Sequence, residues 1–271
     1  MSRTIGIVGG VGPHAGIDLA SKLLDQTAAS KDQEHLPLML FSLPGQVADR
    51  TGFLLHGSGV NPAYGLYDIL RKMEQVGVDI AGIACNTAHA PSIFCKLMNL
   101  LEQGGCRVRL LHMVEEVAAF VRLRLPAVYR VGVLSTVAAA QSGMYTTALR
   151  ARGLETIMPS SSCRSRIDHA IYDLSIGLKA CPRPPTMAAV QNVQAGVNEL
   201  IGRQAEALIL GCTELPLALP ALRLQGRPVI DSSLVLARAL VREAAPDKLV
   251  QMPDLNWTSR GIGTNGQYDT V

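Results

Sequence analysis

Short unbroken apolar runs alternate along this chain with longer segments whose apolar positions recur at helical spacing. Ile5 to Val8, Leu38 to Phe41, Ile80 to Ala84 and Val108 to Leu111 are short and lack polar alternation, which predicts strands buried on both faces. Between them, Ile17, Ala20, Leu23 and Leu24 fall on one helical face, and Tyr64, Tyr67, Leu70 and Met73 on another. Val114, Val117, Ala118 and Val121 line a third. The pattern then restarts. Val131 to Leu134, Leu154 to Met158, Ala207 to Leu210 and a run from Val229 read as strands. Helical stripes run through Val190, Val193, Val197, Leu200 and Ile201, and through Val235, Leu236, Ala239 and Leu240. Such alternation predicts parallel sheets flanked by helices.

The restart is a faint internal repeat. Gly6 and Gly132 stand 126 residues apart, Cys85 and Cys212 127 apart. Each cysteine closes an apolar strand and is followed by polar residues, Asn86-Thr87 in one case and Thr213-Glu214 in the other. The chain therefore reads as an α/β protein of two similar domains, each a mainly parallel sheet flanked by helices, related by pseudo-two-fold symmetry. Residues 251–271 lack periodicity and read as a loosely held C-terminal tail, in which Trp257 could pack onto the body.

Composition narrows the function. Apolar residues make up 48% of the 271, charged residues 17% and aromatics 4%, which suits a core of small aliphatic side chains. The net charge is +3, and no Lys/Arg cluster is interleaved with aromatics, so no nucleic-acid partner is expected. Arg122, Arg124 and Arg130 read as a solvated helix end. No membrane span is expected either, and the N-terminus runs straight into a strand, so the expected location is cytoplasmic. The six cysteines form neither a C-x-x-C pair nor a zinc-ligand spacing, so no metal and no disulfide is expected. Cys95, Cys106, Cys163 and Cys181 read as small buried apolar residues.

Cys85 and Cys212 are different. Ligands of open α/β sheets bind beyond the carboxyl ends of the strands, where both are predicted. A helix start after each would favour the thiolate. Two thiols facing each other across one cleft suit inversion of a C–H stereocentre: one acts as base, the other as acid. Removing a proton beside a carboxylate needs fixed donors, and Asn86, Thr87 and Thr213 stand where donors are wanted. They could equally be helix caps. Gly9-Gly10-Val11-Gly12-Pro13 lacks the spacing of a phosphate loop and reads as a tight turn, with Val11, approaching a small anion. Arg50, on a loop after the second strand, could hold a carboxylate or make a surface ion pair. His89, one helical turn after Cys85, could tune that thiol or pack beneath it, and Glu214 could do likewise for Cys212.

At Cys85-Asn86-Thr87-Ala88-His89 and Gly211-Cys212-Thr213-Glu214-Leu215-Pro216 the chain resembles the aspartate/glutamate racemase superfamily, and within it most of all the aspartate racemase branch. The likeness continues through Ile5 to Pro13, Asp49-Arg50-Thr51, Leu111-His112-Met113, Ser142-Gly143-Met144-Tyr145, Ile171-Tyr172 and Pro228-Val229-Ile230-Asp231. The resemblance implies a cofactor-independent racemase of aspartate or a related amino acid, with Cys85 and Cys212 catalytic from opposite faces, in a homodimer. It implies substrate contacts at Asn86, Thr87 and Thr213, and a side-chain carboxylate on Arg50. It also implies that the chain returns to its first domain, giving 1–113 plus 228–250 and 114–227. Two positions depart from the branch: Ile176 stands where a Lys is implied, and Ala139 where a Thr is. Lys179 could substitute for the missing Lys, and the substrate is expected to be less acidic or larger than aspartate. Two other readings stay open: another isomerase or decarboxylase of the superfamily, and a non-catalytic amino-acid-binding homologue.

Overall fold

The computed structural model describes residues 3–219 and 223–252, and in them the strands form two separate sheets. The first half contributes β1 (Ile5–Gly9), α1 (Pro13–Asp25), β2 (Leu38–Ser42), α2 (Arg50–His56), α3 (Ala63–Gln75), β3 (Ile80–Ile83), α4 (Pro91–Gln103), β4 (Arg109–Leu110) and α5 (Met113–Arg124). The second half opens with β5 (Arg130–Leu134), α6 (Val137–Gln141), α7 (Met144–Arg150), β6 (Glu155–Ile157) and α8 (Ser161–Tyr172). It continues with α9 (Met187–Gly202), β7 (Ala207–Leu210), α10 (Leu215–Ala218), β8 (Arg223–Leu224), β9 (Arg227–Asp231) and α11 (Ser232–Ala244).

One sheet runs β2-β1-β3-β4, all parallel. The other runs β6-β5-β7-β9, also parallel, with β8 antiparallel at its edge. Each half therefore orders its strands second, first, third, fourth. The registers agree as well. Gly6 lies opposite Ala81 and Gly132 opposite Leu208, and in both halves the cysteine follows four residues on. The repeat read from the sequence is thus a repeat of topology.

Three apolar layers hold the sheets. The outer face of the first sheet, with Val8, Ala81 and Ile83, packs on α3 and α4 through Leu66, Leu70, Ile93 and Leu97. The outer face of the second, with Leu134, Leu208 and Leu210, packs on α8 and α9 through Ile167, Val193 and Val197. A single central core joins the inner faces, from Ile5 and Ile7 of β1 to Val131 and Val133 of β5. It is filled by α1, α5, α7 and α11.

The closing helices are exchanged. α5 follows the first sheet yet packs on α7, and α11 follows the second sheet yet packs on α1 and β3. The two also pack on each other. Leu236 and Leu240 of α11 are fully buried, each worth roughly 2 kcal/mol of apolar transfer.

Several expectations need correction. The expected first domain takes in 228–250, but Val229 and Ile230 pair with Leu208 and Ile209 of the second sheet. Only the helix after it crosses back. On α1, Ile17 and Leu24 are exposed, and the buried face is Ala15, Leu19 and Leu23. Tyr64 is likewise exposed, and Leu66 and Ile69 take its place in the core. Of the four cysteines read as buried, only Cys163 is; Cys95 is exposed and Cys106 and Cys181 are half-buried. Trp257 and residues 253–271 lie outside the described residues.

Candidate active site

The equivalent strands β3 and β7 both lead to one cavity. Cys85 and Cys212, buried and at these two ends, line one small cavity between the halves. Arg50, Thr51, Asn86 and Thr87 complete its wall from the first half, and Tyr172, Lys179, Thr213 and Glu214 from the second.

The two thiols have opposite surroundings. Arg50 is the first residue of α2, not part of a loop, because the Asp49 carboxylate caps that helix by accepting from the Thr51 and Gly52 amides. Its Nη2 donates to the Val11 carbonyl at 3.1 Å and its Nη1 to the Ala48 carbonyl at 3.4 Å. Burial opposes the charge, yet Cys85 beside it, in hydrogen-bonding contact, holds the guanidinium above its ordinary value. Val11 itself is a core residue, and it bears on the site through the carbonyl that aims Arg50.

Cys212 instead faces a carboxylate. Its Sγ donates to Glu214 Oε2 at 3.0 Å, and Glu214 Oε1 takes a hydrogen bond from Lys179 Nζ. Burial first, and then the Glu214 charge, push the Cys212 thiol well above the ordinary range. This reverses the expectation that a helix start favours the thiolate there: α10 has only four residues, and the carboxylate is nearer. Glu214 is itself buried, which opposes its charge, but Lys179 and the Cys212 thiol keep it below the ordinary carboxylate value. Lys179 stays charged in turn through Glu214, against burial. One thiol therefore sits by a cation and the other holds its proton against an anion.

The remaining side chains fix these positions. Asn86 Nδ2 donates to Ser232 Oγ at 2.9 Å, and Asn86 Oδ1 accepts from the Tyr145 hydroxyl at 2.5 Å. Ser232 passes the network on to the Leu210 carbonyl at 2.8 Å, at the end of β7 and two residues before Cys212. Thr213 Oγ1 reaches the Ala84 carbonyl at 3.4 Å and Glu214 Oε2 at 3.3 Å. Thr51 Oγ1 and the Tyr172 hydroxyl, one from each half, lie 2.6 Å apart. The glycine turn serves Glu214: Gly12 has φ +122, and a Cβ there would lie 2.5 Å from Glu214 Oε1.

His89 does not touch the Cys85 thiol. Its Nδ1 lies 2.9 Å from the Cys85 carbonyl, its ring packs with Phe94 and His112, and burial lowers its pKa to about 3. Ile176 is half-buried in the turn after α8, while Lys179, three residues on, reaches the cavity. Ala139 is buried in the central core inside α6. Sequence reasoning did not single out Thr51, Tyr145, Tyr172 or Ser232 as site residues. Three of the four lie within the motifs that carried the resemblance, which was the available signal. No helix among the described residues is long and apolar enough to cross a membrane.

Twin parallel sheets with paired cysteines at matching strand ends define a class, and the chain belongs to it: residues 8–240 match the Asp/Glu/hydantoin racemase family. The chain is accordingly an isomerase of the racemase type. It is 29% identical to the broad specificity amino-acid racemase RacX of Bacillus subtilis (strain 168), over 88% of this chain and 96% of that protein. Among solved structures it is similar to the Picrophilus torridus aspartate racemase, with a TM-score of 0.73 and 29% identity over 89% of this chain and 94% of the other. An aspartate racemase homologue from Pyrococcus horikoshii OT3 shares the fold, with a TM-score of 0.67 and 21% identity over 90% of this chain and 99% of that one.

Proposed function

We propose that the chain racemises a free amino acid by a two-thiol mechanism that needs no cofactor, with Cys85 and Cys212 acting from opposite faces of Cα. One observation carries this reading. Two cysteines 127 residues apart end equivalent strands of two similar sheets and line the same cavity.

The chemistry follows from the surroundings of each sulfur. The thiolate beside Arg50 takes the Cα proton of one enantiomer. The electron pair left behind spreads onto the substrate carboxylate, where fixed donors can stabilise it. The Thr87 and Thr213 hydroxyls and the Asn86 amide, held by Tyr145 and Ser232, line the cavity with the thiols and are such donors. The Cys212 thiol then delivers its proton to the opposite face. After one turnover Cys85 carries the proton and Cys212 the negative charge, so the reverse reaction exchanges the roles. The substrate falls within aspartate and related amino acids, the span of an aspartate racemase and a broad specificity amino-acid racemase among the relatives.

The test is a panel of single-enantiomer amino acids in deuterated water without pyridoxal phosphate. Proton NMR reads loss of the Cα signal, and chiral chromatography reads inversion. At least one amino acid should both exchange and invert. Absence of exchange with every member of the panel would remove the proposal.

A further inference from the structure

Beside the thiol cavity lies a larger one of about 210 Å³. The two share Arg50, Tyr172, Lys179 and Glu214. A substrate whose Cα lies between the thiols has this second space for its side chain.

The charges around it can be counted. Arg50 and Lys179 are cations, Glu214 is an anion, and turnover requires one thiolate. Around the thiol cavity these charges balance before substrate arrives. A zwitterion with one carboxylate and one ammonium leaves it balanced. A second carboxylate would add an uncompensated charge to a buried space, which is costly. Lys179 is not at liberty to neutralise it, since its ammonium is engaged by Glu214 Oε1 while Glu214 Oε2 accepts from Cys212. Arg50 Nε is buried without a partner, which leaves an open donor for a single carboxylate. Asp49 adds a further carboxylate to the wall of the larger cavity.

We infer that the site selects by charge: it takes amino acids with one carboxylate and a neutral or cationic side chain that fills the larger cavity, and Lys179 paired with Glu214 turns away a second carboxylate. This rests on the racemase reading above and names its substrate class.

The experiment compares kcat/KM for methionine, lysine and aspartate in the unmodified protein and in the variants Lys179→Gln and Glu214→Gln. In the unmodified protein, methionine and lysine should each exceed aspartate by about tenfold or more. Lys179→Gln leaves Glu214 unpaired and should raise lysine over methionine by about tenfold. Glu214→Gln releases Lys179 and should raise aspartate over methionine by about the same factor. Ratios within one variant cancel any general loss of activity. Aspartate equal to or above both others in the unmodified protein would overturn the inference and leave the racemase reading standing. So would an aspartate-to-methionine ratio that Glu214→Gln does not move. Lack of turnover with every amino acid would overturn both. If a variant fails to fold, the ranking in the unmodified protein still decides.

Discussion

Thr51 and Tyr172, from opposite halves of the chain, share a hydrogen bond of 2.6 Å at the wall of the cavity that holds both thiols. Such a bond is worth about 1 kcal/mol net. Thr51→Val and Tyr172→Phe should each lower stability by about that amount. The double variant should cost scarcely more than either single one, because both remove the same contact. Urea midpoints of the four proteins check this, and additive losses would show that the two hydroxyls act separately.

Replacing either sulfur should separate exchange from inversion. Cys212→Ser removes the thiol that holds its proton against Glu214. Racemisation should fall by about 10²–10⁴-fold, while Cα exchange of one enantiomer persists from the Cys85 side. Cys85→Ser should suppress exchange of that same enantiomer. Exchange of both enantiomers surviving in Cys212→Ser would contradict the two-sided arrangement.

The Glu214 carboxylate raises the Cys212 thiol, second only to burial. Glu214→Gln should therefore lower it, so more thiolate is present at a given pH. The alkaline limb of the pH–rate profile should move to lower pH, and alkylation of Cys212 by iodoacetamide at fixed pH should quicken. Peptide mass spectrometry reads the second effect.

His89 is buried and its pKa falls from 6.5 to about 3. The folded protein keeps this imidazole neutral where the unfolded chain takes up a proton. Its contribution to stability is whole above about pH 6.5 and is lost as pH falls toward 3, by up to about 1.4 kcal/mol per pH unit. His89→Phe should flatten that part of the stability curve, measured by urea titration at pH 7, 6 and 5. An unchanged slope would place the acid sensitivity elsewhere.

Gly12→Ala should damage the site from outside the thiol cavity. The new Cβ would meet Glu214 Oε1 at 2.5 Å, on a backbone with φ +122 that side chains avoid. A loss of about 1–3 kcal/mol, with a fall in kcat/KM, is expected. Thermal unfolding and the exchange assay read the two effects.

The strands and the two cysteines were legible in the sequence because buried parallel strands leave unbroken apolar runs, and Cys85 and Cys212 end two of them. What the sequence left hidden depended on partners distant along the chain. Whether 227–231 joins the first or second sheet is decided by pairing with β7, and nothing in Val229-Ile230 encodes it. α1 carries apolar residues on two faces, so periodicity alone could not exclude Ile17. Arg50 opens a helix because Asp49 caps it, a signal present in the sequence but easily taken for a loop. The unlike surroundings of the two thiols come from Arg50 on one side and from Lys179 through Glu214 on the other, across gaps of 35 residues each in the chain.

The exchange of α5 and α11 has a consequence for how the enzyme can be divided. Neither lobe owns the helix that roofs it, so a polypeptide cut in the 126–128 connection should yield fragments that are insoluble apart and regain structure only when mixed. The gap between the sulfurs is then fixed by one shared interior, as the span of a frame is fixed by its crossbeams, and any change that loosens that interior should be felt first as a misaligned proton transfer.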